Sequence, residues 1–195
     1  MKIVSLIPSA TEIVSALGAG DQLVGRSHEC DFPEAVRHLP ALTTPKFDPQ
    51  RTSREIDDRV RHLLENAQSV YQVDTDLLTQ LAPDVIITQA MGNGCAVSLS
   101  EIEAACSLTG TRIVALQPNR LSDVMDDIER IAAALNIPER GAQLRAELEG
   151  RIRAIADRTR DLPRKPSVAA VAWIDPLMAA ANWTPDLIEA AGGVN

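Results

Sequence analysis

Short runs of branched apolar residues alternate with helix-patterned stretches along the first 116 residues, and this alternation constrains the fold more than any other feature. Ile3, Val4, Leu6 and Ile7 read as a buried strand. Pro8 ends it, because proline cannot donate to a strand ladder. Ser9-Ala-Thr-Glu12 has capping-box spacing, with Ser9 as N-cap and Glu12 at N3. The helix it opens carries Ile13, Val14 and Leu17 and stops at Gly18-Ala-Gly20. The chain therefore passes from a strand directly to a helix N-terminus. In an open α/β sheet that corner lies at the carboxyl end of the strands, where ligands bind. An ordinary strand-to-helix turn has the same pattern, so the corner alone assigns no function.

The alternation continues. Residues 22–27 read as a short strand, 28–33 as a loop, and 35–51, with Pro40, Pro45 and Pro49, as irregular. Thr52-Ser-Arg-Glu55 is a second capping box, opening a helix with Ile56, Val60, Leu63 and Leu64 on one face. Residues 70–73 suit a strand, and Asp74 caps a helix through Leu77, Leu78 and Leu81. Strands follow at 85–88 and 112–116, separated by a helix opened by Ser98 and closed by Gly110. Ser122 is placed to cap a helix with Val124, Ile128, Ile131 and Leu135, stopped at Asn136. Pro138 suits the first turn of a longer helix running to about Arg160, with a stripe of Leu144, Leu148, Ile152 and Ile155. A linker at 162–166, a strand at 167–173, a turn-rich segment at 174–178 and a short helix at 186–191 complete the chain.

The expected fold class is thus α/β: a parallel-sheet lobe (1–118), a helical connector with one long helix (119–161), and the first strand, turn and helix of a second α/β lobe (162–195). So small a second piece cannot bury a core of its own. Its strand around Val168 to Trp173 is therefore expected to leave an edge and apolar surface open to self-association.

A net charge of −8 offers no basic face for nucleic acid. No apolar run reaches the ~18 residues a membrane helix needs. Nor does a leader precede the first strand, so the expectation is either a chain that stays in the cytoplasm or a mature form whose leader is absent. Three cysteines, Cys30, Cys95 and Cys106, do not suggest a disulfide framework. Nucleotide-binding, hydrolase and metalloprotease motifs are not found, which argues against an enzyme. His28, Glu29 and Cys30, with Cys95, are the only soft or polar cluster suggesting a metal, but adjacent residues rarely ligate one ion together, so no metal site is assigned.

Five segments together resemble the cobalamin-binding, iron–siderophore-type substrate-binding proteins of ABC importers. They are Ile3-Val-Ser-Leu-Ile-Pro-Ser-Ala-Thr-Glu12, Val24-Gly-Arg-Ser-His-Glu-Cys-Asp-Phe-Pro33, Leu81-Ala-Pro-Asp-Val-Ile-Ile87, Trp173-Ile-Asp-Pro-Leu-Met178 and Leu187-Ile-Glu-Ala-Ala-Gly-Gly193. The resemblance implies two α/β lobes joined by a long helix, with the ligand held between them by loops at the carboxyl ends of strands. By position, it implies a first wall of Pro8, Ser9, Ala10, Thr11, His28, Glu29, Gln89, Ala90 and Met91. It implies a second wall of Trp173, Asp175, Met178 and Trp183. Asp76 matches the acidic position that docks on arginines of the importer's permease. Glu29 and Gln89 stand where related proteins often carry aromatic residues, and the family's second lobe continues beyond residue 195. The implied function is to bind a corrinoid as a transported ligand, without a cofactor, for a periplasmic or cell-surface importer. The alternatives are a ferric siderophore or haem as ligand, a cytosolic corrinoid-handling protein, or a fragment without function.

Overall fold

The computed structural model describes residues 1–66, 68–90, 97–106 and 110–195. Four parallel strands form the central sheet in the order β2-β1-β5-β6. They are β1 (Ile3–Ser5), β2 (Leu23–Arg26), β5 (Val85–Gln89) and β6 (Arg112–Leu116). Alternation along the strands sends their side chains to opposite faces. Ile3, Val85 and Ile87 point into one core, covered by α1 (Pro8–Ala16) and α5 (Leu121–Ala134). Val4 and Ile86 point into the other, covered by α3 (Thr75–Leu81) and α4 (Leu99–Cys106). The sheet is thus sandwiched between helices, as continuous apolar strands require.

Between β2 and α3 the chain makes a small antiparallel pair, β3 (Thr43–Pro45) with β4 (Tyr71–Val73). This pair is rooted at the carboxyl end of β2, where Leu42 N donates to Arg26 O at 2.8 Å. The helix α2 (Ser53–Glu65) is an excursion between its two strands. Residues 35–51 are therefore not wholly irregular as expected, since they hold a 3-10 turn at Glu34–His38 and the strand β3. β3 carries no local pattern of its own and forms because β4 arrives to pair with it.

Two expected helix starts are corrected. α1 begins at Pro8 with Ile7 in the capping position and no side-chain cap, so Ser9 lies within the first turn. Proline is pre-set for that first position and brings no amide that would need a partner. α5 begins at Leu121, so Ser122 is inside the helix. Asp123 at N3 instead reaches back to the incoming backbone, where its Oδ2 accepts from Asn119 N at 2.8 Å and Arg120 N at 3.0 Å. Those two amides hold its carboxyl below the usual carboxylate range.

The long helix is α6 (Pro138–Thr159), 22 residues and roughly 33 Å. Leu144, Leu148 and Ile152 of the expected stripe pack on the α5 side of the core, whereas Ile155, one turn further on, is exposed. Arg145 ties α6 to α5 by meeting Asp126 at 2.7 Å and Glu129 at 2.8 Å, with Glu149 of its own helix at 2.9 Å. Beyond α6 the chain forms a hairpin of β7 (Val171–Ile174) and β8 (Leu177–Ala179), then α7 (Thr184–Ala190). The expected strand at 167–173 is shorter, and Ser167 instead makes an isolated parallel bridge to Val194. Among the described residues no helix is long and apolar enough to cross a membrane.

Candidate functional site

Because β1, β2 and β5 are parallel, the segments that follow them emerge at one end of the sheet. There the loop after β2 is built around a buried hydroxyl. Thr43 is 1% exposed, and its Oγ1 donates to Ser27 Oγ at 2.9 Å and accepts from His28 N at 3.0 Å. His28 Nδ1 lies 2.7 Å from the same oxygen. Ser27, Thr43 and the His28 ring thus share one short hydrogen-bond chain, which holds Nδ1 against Thr43 and leaves Nε2 on the far side of the imidazole. Arg26 clamps the loop from below, donating to the carbonyls of Ser27 (2.9 Å), Arg37 (3.1 Å) and Leu39 (3.2 Å).

Tyr71, on β4, closes the outer side. Its hydroxyl donates to Glu29 Oε1 at 3.0 Å, and its ring meets the His28 ring edge-on with centroids 5.1 Å apart. Phe47 lies beyond it at 6.4 Å. The result is a half-buried rim of His28, Tyr71 and Phe47 carrying one fixed carboxylate. Tyr71, Phe47 and Thr43 were missed in reading the sequence. The available signal was composition: Tyr71 is the single tyrosine of a chain with only 3% aromatic residues, so its placement had to count.

The other expected wall residues divide by burial. Pro8 is half-buried and Ser9 exposed in the first turn of α1, whereas Ala10 and Thr11 face inward. Thr11 has a positioning role instead, since its Oγ1 donates to Cys30 Sγ at 3.0 Å and so ties α1 to the β2 loop. Burial pushes the Cys30 thiol up, against the opposing effect of that hydrogen bond. A protonated, buried sulfur already serving as an acceptor is a structural group rather than a metal ligand. Gln89 and Ala90 are half-buried at the end of β5; Met91 and Cys95 lie outside the described residues. Among the described residues no three His, Cys, Asp or Glu side chains are grouped to hold a metal ion.

On the second wall, Trp173 and Met178 are cross-strand partners in the β7–β8 hairpin and share one half-buried face. That face meets α2. Trp173 Nε1 donates to Ser53 O at 3.2 Å, and the Asp175 carboxylate pairs with Arg54 at 2.5 Å. Trp183 is half-buried at the entry to α7. Asp76 is exposed in the first turn of α3, where Asp74 Oδ1 accepts from Leu77 N at 2.9 Å. It borders a cavity of about 300 Å³ lined also by Ala41, Thr44, Gln72 and Asp74.

A family model described as periplasmic binding protein matches residues 3–195. Among curated proteins, a vitamin B12-binding protein of Vibrio vulnificus is 25% identical over 196 residues, covering all of this chain and 60% of its own length. Among solved structures, the periplasmic heme-binding protein RhuT of Roseiflexus sp. RS-1 superposes with a TM-score of 0.72 at 27% identity. It is matched over 100% of this chain and 65% of its own. The periplasmic vitamin B12-binding protein BtuF of Vibrio cholerae gives 0.68 at 22% identity with the same coverage, a likeness of fold. The chain therefore spans about three-fifths to two-thirds of the length of the relatives it matches.

Proposed function

The chain belongs to the periplasmic binding protein family, and from that premise we propose that it binds a metal-centred tetrapyrrole, a corrinoid in particular, for delivery to an ABC importer. The ligand sits between the carboxyl end of the parallel sheet and the β7–β8 hairpin. Pro8, Ser9, His28, Glu29 and Gln89 form one wall, and Trp173, Asp175, Met178 and Trp183 the other.

The observation that carries this reading is the rim of His28, Tyr71 and Phe47, held by the buried Thr43–Ser27 pair. It offers flat aromatic area, and the nitrogen opposite a pinned Nδ1 is free to face a ligand. No step in this function needs bond chemistry, so the protein is read as a binder and not an enzyme.

Relatives named for vitamin B12 and for heme both resemble the chain, and charge separates the two. The site carries Glu29 and Asp175, and the nearby Arg54 is already paired with Asp175. An acidic rim favours a corrinoid over haem propionates or an anionic ferric siderophore. Asp76, exposed beside its cavity and flanked by Asp74, is the proposed contact for basic residues of the permease.

Equilibrium titration with cyanocobalamin, cobinamide, haemin and a ferric siderophore tests the reading. Saturable micromolar or tighter binding of the two corrinoids, weakened at least tenfold for haemin, is the expected result. Binding of haemin alone moves the protein to the haem reading, and binding of none removes the proposal.

A further inference from the structure

We propose that the first turn of α2 and the tip of the β7–β8 hairpin form a reversible latch between two units, the sheet with its covering helices and the segment after α6, so that Arg54 sets how fast a bound ligand leaves. The proposal rests on the reading that the ligand lies between those units.

Two independent contacts meet at this point. Arg54 Nη2 lies 2.5 Å from Asp175 Oδ1, although the residues are separated by 121 positions in sequence. Beside it, the Trp173 indole N–H is shared between Ser53 O at 3.2 Å and Asp175 O at 3.0 Å. The indole thus joins the hairpin turn to the start of α2 while the guanidinium joins their side chains.

The seat of the latch is stiff. Ser53 and Arg54 open α2 immediately after its cap, where Thr52 N donates to Glu55 Oε2 at 3.0 Å and Glu55 N to Thr52 Oγ1 at 3.4 Å. The moving part is loosely held. Trp173 reaches α2, while Ile174 and Leu177, paired with each other at the hairpin tip, are 76% and 75% exposed. The hairpin tip is therefore held to α2 by the Trp173 and Asp175 contacts, and those contacts are the latch.

The far end of the same unit is anchored separately. Asp186 Oδ2 accepts from Leu121 N at 2.9 Å, capping α5, and Thr159 Oγ1 donates to Ala190 O at 3.2 Å. Anchored at α7 and latched at the hairpin, the unit has the layout of a door with a hinge on one side and a catch on the other.

The contact is of a suitable strength. An ion pair with both partners about half exposed contributes little, and one indole–carbonyl hydrogen bond adds a modest amount. Together they bias the closed arrangement by a factor of about 5 to 30. That is enough to hold a ligand longer, and weak enough that the open arrangement is still sampled.

Hydrogen–deuterium exchange on the whole chain tests this directly, comparing wild type, Arg54→Ala and the charge swap Arg54→Asp with Asp175→Arg. The expected result is exchange at 171–179 about fivefold faster in Arg54→Ala, with unchanged helical circular dichroism, and recovery toward wild type in the swap. High salt should speed wild type toward the Arg54→Ala rate and leave that variant nearly unmoved. Equal exchange in wild type and Arg54→Ala, or a swap as fast as the single variant, overturns the latch. Cyanocobalamin dissociation, followed by stopped flow, should quicken by the same factor in Arg54→Ala. Faster exchange with unchanged dissociation shows a contact that does not gate the ligand, and the proposal falls. If wild type binds neither cyanocobalamin nor haemin, the functional reading fails, and the exchange comparison still decides the latch.

Discussion

At the scale of single residues, Thr43 matters most to the site. Its hydroxyl is buried and serves Ser27 and both nitrogens that His28 presents to it. Valine has nearly the same shape but leaves the Ser27 hydroxyl and the His28 amide facing a methyl group out of reach of water. Thr43→Val is expected to cost about 1–3 kcal/mol, read as a lower urea midpoint with an unchanged slope, and Thr43→Ser to recover most of it. A Thr43→Val protein as stable as wild type would remove the frame on which the rim is argued. Asp127 is the opposite case, a buried group that works against the fold. Its Oδ1 meets Arg130 at 2.8 Å while Oδ2 finds no hydrogen-bond partner among the described residues. Burial raises its pKa despite the arginine. A carboxyl raised in the folded state binds its proton more tightly there than in the unfolded chain. Its contribution to stability is therefore full below the ordinary carboxylate range and is lost as pH rises through the raised value. Asp127→Asn should be more stable than wild type at neutral pH, with the difference vanishing in acid. Thermal melts at several pH values check this, and a constant difference would contradict it.

At the scale of elements, the crossing of α5 and α6 sets how the connector lies. Gly141 is buried at that crossing, and a Cβ added there would stand 2.5 Å from the Ala132 Cβ. Alanine favours a helix over glycine by about 1 kcal/mol, but overpacking of a rigid crossing costs about 1–3 kcal/mol. The second effect should win, so Gly141→Ala is expected to destabilise. Adding Ala132→Gly should return part of the loss by restoring the space, and a stabilised single variant in urea unfolding would show that the helices part freely. The crossing was invisible in the sequence, where Gly141 is merely a weak helix former. Elements that carry their own signals were legible: β6 at residues 112–116, α6 from Pro138 onward, and the Thr52–Glu55 box on α2. Those that exist through a partner were not. β3 forms because β4 pairs with it, and β8 because the turn after Ile174 folds it back on β7. The site divides the same way. The loop residues His28 and Glu29 stood out as consecutive polar groups, while Tyr71 and Arg54 act through neighbours 42 and 121 positions away. Spacing along the chain carries no trace of such contacts.

At the scale of the whole molecule, the two units are unequally supported. The sheet unit has apolar clusters on both faces, with Ile3, Val14, Ile86, Ile87, Ile102 and Ile131 fully buried. In the C-terminal unit β7, β8 and α7 contain no buried residue, and Val171, Ile174 and Leu177 are exposed. Ordering each residue costs about 1–2 kcal/mol of conformational entropy, and burial returns only ~25 cal/mol per Å² of apolar surface. A unit that buries so little depends on its contacts with α2, α5 and α6, and it should open while the sheet still stands. The tryptophans allow this to be seen cleanly. Both of them, Trp173 and Trp183, lie in the C-terminal unit, so intrinsic fluorescence reports that unit, whereas far-ultraviolet circular dichroism is dominated by the helices around the sheet. In urea the fluorescence transition is expected at a lower concentration than the dichroism transition, and coincident curves would mean the units fold as one. A ligand that touches both walls stabilises only the arrangement in which both are formed. Saturating cyanocobalamin should therefore shift the fluorescence transition upward and draw the two curves together. A ligand held by the sheet unit alone would raise the dichroism transition and leave fluorescence where it was. Such a result would place the binding site on the sheet unit and take Trp173, Asp175, Met178 and Trp183 out of it.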